Sequence, residues 1–158
     1  MSKISNSRKD SFIKSIPLDS LEEVKADICS RCKFNFSYFD ANQKYATDLE
    51  GWDENNLQLF FSKLKLFSRF PLSHWQHKVI GSHKNHVLEI YGAFPKKSCF
   101  KHPPHVPSDV DWARFRLDRK KRLIGFTIPK SHCVNNTFFD ENVFYIVFLD
   151  LEHKFYLK

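Results

Sequence analysis

The sequence predicts an α+β domain: a mainly antiparallel β-sheet with an αα-hairpin packed on one face. Three observations carry this reading. Phe144 to Leu149 is an unbroken run of aromatic and aliphatic residues, the pattern of a strand covered on both faces. Leu57, Phe60, Phe61, Leu64 and Phe67 recur at helical spacing and form one apolar stripe. WARFRL (112–117) and RLIGFTI (122–128) lie on either side of a charged turn, Asp118 to Lys121, and read as an antiparallel pair.

Each element follows in chain order. Residues 1–28 are a polar N-terminal extension whose first dozen residues are expected to be loose. Ser20 and Glu23 have capping-box spacing, with Leu21, Val24 and Ile28 as a partial stripe, so a short helix is expected there. Residues 29–158 form a single domain. KFNFSYF (33–39) alternates and predicts a half-buried strand with Phe34, Phe36 and Tyr38 on one face. Asp53 is a good N-cap for the long helix, with Trp52 and Leu57 at hydrophobic-staple spacing. Pro71 ends that helix. A second, shorter one is expected from about Ser73 to Gly81, with Gly81 as its C-terminal glycine. His86 to Tyr91 reads as an edge strand. The final strand is 143–150. Two long connections, 92–111 and 129–142, interrupt the sheet, and loops of that length in a compact domain are often functional.

Composition narrows the class. The 158 residues suit one domain with a real core, and 17 Phe supply much of its volume. Four Gly argue against a fibrous or flexible chain. No apolar run is long enough to cross a bilayer, and MSKISNSRKDSF lacks the apolar centre of a signal peptide. The expected location is therefore the cytoplasm, with no membrane partner and with Cys29, Cys32, Cys99 and Cys133 reduced. A formal charge of +7 points to a phosphate-bearing or acidic partner, or else to a solvated basic surface. No glycine-rich phosphate loop and no Gly-x-Ser-x-Gly is present, which disfavours nucleotide hydrolysis and serine-hydrolase chemistry.

The basic cluster is the strongest chemical signal. Arg114, Arg116, Arg119, Lys120, Lys121 and Arg122 fall close together, and arginine grips phosphate through paired donors. Trp112 shares a strand face with Arg114 and Arg116 and is the expected platform for stacking a base. The competing reading is a charged hairpin tip. After the last strand come Asp150, Glu152, His153, Lys154 and Tyr156. His153 titrates in the range needed for either proton transfer in RNA cleavage, and Asp150 or Glu152 could orient it. Arg114 or Arg116 could stabilise the charge that grows on phosphorus. Equally, the tail could be a strand end running out into water.

The order of strand, two helices and Arg-bearing antiparallel strands, with RFR, RLIGF and VFYIVFLD followed by His153 and Tyr156, resembles the RelE/ParE toxin superfamily over about residues 33–158. RelE-like and YoeB-like members are small basic ribonucleases that cut messenger RNA, typically on the ribosome, and are held inactive by an antitoxin. ParE-type members act on gyrase. The resemblance implies a type II toxin that is a metal-independent endoribonuclease, needs no cofactor and is neutralised by an acidic antitoxin. It implies Arg114, Arg116, His153 and Tyr156 as catalytic residues, with Trp112, Arg119, Lys120, Lys121, Arg122 and Lys154 binding RNA. The alternative is a non-catalytic nucleic-acid- or protein-binding module on the same scaffold.

Histidines recur three residues apart: His74 and His77, His83 and His86, His102 and His105. Cys29 and Cys32 form a lone C-x-x-C, and a zinc site would need a second pair, so no metal is expected. His102 and His105, in KHPPH, are secondary site candidates on a proline-stiffened loop.

Overall fold

A computed structural model describes residues 7–16, 28–81, 85–134 and 136–157. The helix expected around Ser20 and Glu23 lies outside them. Where the first dozen residues are expected to be loose, Ser7–Ser15 forms a helix, α1, that buries none of its residues.

The rest is α+β. Strand β1 (Lys33–Asn35) leads through a 3-10 turn (Leu49–Gly51) to α2 (Glu54–Phe67) and α3 (Leu72–His77). Then come β2 (Val79–Ile80), β3 (Asn85–His86), β4 (Leu88–Gly92), β5 (Asp111–Arg116), β6 (Arg122–Thr127), α4 (Lys130–Val134) and β7 (Val143–Asp150). The main sheet has five strands in the order β1-β7-β6-β5-β4. Only β1 pairs in parallel, with β7, and the other neighbours are antiparallel. Strands β2 and β3 form a separate small ribbon.

Sequence explains most of these boundaries. Asp53 caps α2 through a hydrogen bond from the Asn56 backbone N–H, 2.7 Å. Trp52 and Phe60 meet edge to face, 5.5 Å between centroids, which fixes the entry angle. Phe60 and Phe67 are buried against the sheet with Phe115, Phe144, Leu123 and Leu149, and α3 adds Leu72 and Trp75. Phe61 departs from the expected stripe and is 59% exposed. The stripe is narrow because one flat sheet face takes only the central row of the helix.

Four other expectations are corrected. The 33–39 strand stops at Asn35, whose side chain accepts from the Ser37 N–H and turns the chain outward. Phe34 therefore packs on the helix side, Phe36 is exposed, and Tyr38 joins the opposite face. Gly81 does not end a helix: α3 stops at His77, and Gly81, at φ 73°, follows β2 directly, a left-handed position that only glycine adopts without cost. The 129–142 connection contains α4.

Two irregularities in the ladder matter later. In β4, Ile90 faces Ala113 and Gly92 faces Trp112, so Tyr91 is the extra residue of a bulge, with Gly92 at φ 73°. In β7, Ile146 faces Gly125 and Phe148 faces Ile124, so Val147 is the extra residue. Its carbonyl accepts from the Asp40 N–H, 2.8 Å. Among the described residues, no helix is long and apolar enough to cross a membrane.

Candidate functional site

The sheet face turned away from α2 and α3 is divided. One half is apolar: Trp112, Ile124, Phe126 and Phe148 lie under Phe100 and Val106 of the 92–111 connection and under Phe155 of the tail. The other half is an open cleft of about 960 Å³. Its floor and walls come from Arg114 and Arg116 of β5, Arg122 of β6, Glu89 and Tyr91 of β4, Arg119 and Lys120 of the hairpin turn, and His153, Lys154 and Tyr156 of the tail.

Strand register sets the floor. Arg116 lies directly opposite Arg122, and Glu89 opposite Arg114. Like charges facing across a ladder are unfavourable, so the Arg116–Arg122 pair is a local cost. Arg114 is 7% exposed. Its Nη2 pairs with Glu89 and its Nε donates to the Tyr91 hydroxyl at 2.7 Å. Arg122 is 2% exposed and is used partly for structure. Its Nη1 donates to the carbonyls of Asp118 and Lys121, at 3.0 and 2.9 Å, and its Nη2 to that of Arg119, at 3.1 Å, holding the hairpin turn. Burial, together with the charges of Arg114 and Arg116, lowers its pKa to about 10. Arg114 Nη1, Arg116 Nε and Arg122 Nε are buried with no hydrogen-bond partner among the described residues.

The tail is held by Asp150, which is 1% exposed. Its carboxylate accepts from the backbone N–H groups of Glu152, Lys154 and Phe155, at 3.2, 2.9 and 2.8 Å. The turn so formed places His153 at φ 62°, a left-handed conformation uncommon outside glycine. Phe155 plugs the apolar half, and the Leu157 N–H donates to the Lys97 carbonyl at 3.0 Å. The His153 ring makes no hydrogen bond among the described residues. Partial burial, reinforced by Arg122 and Arg114 and opposed by Asp150, holds its pKa below the ordinary histidine value. Tyr156 stacks on Tyr91 with centroids 4.8 Å apart and planes 4° off parallel. Burial, with Arg114 opposing and Glu89 reinforcing, pushes the Tyr91 hydroxyl up to about 12.

Of the residues the sequence singled out, Arg114, Arg116, Arg119, Lys120, Arg122, His153, Lys154 and Tyr156 meet in this cleft. Others do not. Trp112 is 1% exposed and packs against Phe94, Phe148 and Phe155, so it offers no stacking platform. Lys121 turns to the helix side, bonded to Asn56 and paired with Asp118. Asp150 does not orient the His153 ring, because its oxygens are occupied by backbone donors. His102 packs edge-on against Phe94 and Trp112. His105 stacks on Tyr38, its Nε2 3.2 Å from the Tyr38 carbonyl oxygen. This pair fastens the 92–111 connection over the apolar half, away from the cleft. Glu89 and Tyr91 were missed. Their signal was the i, i+2 spacing of two polar-tipped residues on the predicted edge strand beside the arginine strand.

Among the described residues, no group of three or more His, Cys, Asp or Glu is placed to hold a metal ion. Cys29 is exposed. Cys32 is buried, and that burial, partly offset by Lys33, pushes its thiol up to about 12. Comparison with known protein families, characterised proteins and solved structures finds no match to this chain.

Proposed function

We propose that this protein is a RelE-like toxin of a type II toxin–antitoxin system, a metal-independent endoribonuclease that cuts messenger RNA in the arginine cleft. The observation that carries the reading is the convergence of Arg114, Arg116, Arg122, His153 and Tyr156 on one open cavity. Such a cavity offers the three things RNA transesterification needs. Arg116, which makes no ion pair among the described residues, clamps the scissile phosphate and stabilises the charge that grows on its oxygens. His153, whose pKa is held below the ordinary histidine value by partial burial and then by Arg122 and Arg114, takes the 2′-hydroxyl proton as that oxygen attacks phosphorus. The bond from phosphorus to the 5′-oxygen breaks, and Tyr156 returns a proton to the leaving oxygen. The products are a 2′,3′-cyclic phosphate and a free 5′-hydroxyl. Arg119, Lys120 and Lys154 at the rim hold flanking phosphates. The stacked Tyr91–Tyr156 pair takes over the platform role that Trp112 lacks.

A second reading has its own support. Among the described residues no carboxylate bonds to the His153 ring, and Glu89 already pairs with Arg114. Both features suit a cleft that binds an anionic strand or acidic protein segment without cutting it. Growth on induction separates the two. The toxin reading expects arrest by wild type and relief by His153→Ala, with the cut RNA carrying a cyclic phosphate in single-turnover reactions on free and ribosome-bound message. Normal growth with intact RNA would leave the binding module.

A further inference from the structure

The floor of the cleft holds more positive charge than its internal partners satisfy. Three guanidinium groups share it, two of them more than nine-tenths buried, and Arg116 and Arg122 face each other directly. Each of the three keeps one buried N–H without a partner among the described residues. Six cationic side chains line the cleft against two carboxylates, those of Glu89 and Glu152. The resident counter-charge on the floor is Glu89, whose side chain is 43% exposed and whose Oε2 rests on Arg114 Nη2. The Tyr91 hydroxyl takes the neighbouring Nε. Together they occupy one edge of the Arg114 fork, the geometry a bound oxyanion would use. Asp150 is close enough to be felt by Arg122, but its oxygens are held by backbone N–H groups and it cannot follow a ligand.

We propose that Arg114, Arg116 and Arg122 form a phosphate-binding site that exists before any ligand arrives, and that Glu89 is a built-in competitor which incoming phosphate displaces from Arg114. The ligand is the phosphate group of an RNA strand, so this inference rests on the reading above. The phosphate chemistry is testable on its own. Glu89 sits on a strand, whereas its carboxylate is half in solvent, so it can swing from Arg114 while the backbone stays fixed. The competitor has a use: it neutralises one buried arginine in the free protein and raises the threshold for weak, single anions. A strand that presents a phosphate together with its neighbours on Arg119, Lys120 and Lys154 overcomes that threshold.

The test is titration of the full chain with inorganic phosphate at constant ionic strength, followed by calorimetry and by the 31P resonance, with chloride as the control anion. Wild type should bind phosphate saturably. Glu89→Gln should bind it about tenfold more tightly, as expected if the Arg114–Glu89 contact is formed about nine-tenths of the time. Arg116→Ala should weaken it by at least about tenfold, the scale of one charge-assisted hydrogen bond. Arg116→Lys should recover part of that loss and guards against misfolding of the alanine variant, as does an unchanged circular dichroism melt. An affinity in Glu89→Gln equal to or weaker than wild type would overturn the competitor role. Phosphate binding no stronger than chloride would overturn the site. Phosphate binding without RNA cleavage would leave this inference standing and remove the ribonuclease. Cleavage without phosphate binding would do the reverse.

Discussion

The two halves of the far sheet face are built by the same strands and differ completely in what covers them. Two residues apart on β5, Trp112 is sealed under the 92–111 connection and Arg114 opens on the cleft. On β6, Phe126 and Ile124 belong to the sealed half, and Arg122 to the open one. On the tail, Phe155 closes one half while His153 and Tyr156 wall the other. Alternation assigns a residue to a face, but not to a half of that face. The half is decided by a distant segment, and here that segment is fastened by His102, His105 and Phe100.

If this division is functional, substitutions in the two halves should fail in different ways. The largest effect is expected at His153. Changing it to Ala should lower single-turnover RNA cleavage by about two to four orders of magnitude, the usual scale for losing a general base. The melting temperature should barely move, since the ring is exposed. Its depressed pKa also fixes the sign of the pH dependence. The base stays neutral, and the rate stays high, to lower pH than an ordinary histidine allows, and activity falls as pH drops through the folded-state value. A rate that instead declines at or above the ordinary histidine range would place the base elsewhere.

Trp112→Ala should behave in the opposite manner. It removes a fully buried ring and should cost about 3–5 kcal/mol in urea unfolding. Any folded fraction should retain phosphate affinity. A small stability loss with lost RNA binding would erase the distinction between the halves.

Asp150→Asn lies on the seam. The amide keeps the shape but weakens three backbone hydrogen bonds, so about 1–3 kcal/mol should be lost in thermal unfolding. Cleavage should fall with it, because the same turn carries His153. The subtlest readout is the salt dependence of RNA binding in Arg116→Ala. The slope of log affinity for RNA against log salt should flatten by about one contact, with similar loss for every RNA sequence. An unchanged slope would take Arg116 out of the phosphate clamp.

Much of this architecture was readable in the chain because its signals were local. The final strand expected at 143–150 matches β7 to the residue, and Asp53 marks the start of α2. The basic residues of 114–122 and the tail were readable as a cluster because charge on or beside a buried strand is costly and so stands out. What escaped depended on contacts far apart in sequence. Trp112 alternates with the arginines, and nothing near it says that Phe94 and Phe155 will cover it. Lys121 looks like its neighbours until Asn56, on α2, draws it to the other side. Asp150 looked free to orient a histidine, whereas the chain folds back to present it with N–H donors. Tyr91 shares the face of Glu89 by alternation, but the bulge that follows leaves only Gly92 as its trace.

The extra residue in β7 carries a consequence for the whole cleft. Up to Ile146 the strand sends even-numbered side chains toward the helices; after Val147 it sends odd-numbered ones, so Phe148 and Asp150 turn outward and Leu149 inward. Were Val147 paired in plain alternation instead of bulged, Phe148 and Asp150 would turn inward and Leu149 outward. Asp150 would then be driven among Phe60, Phe67 and Phe115, and the tail would emerge on the helical side, leaving Arg114 and Arg122 without a facing wall. The bulge thus decides on which side of the sheet the tail and its facing wall emerge.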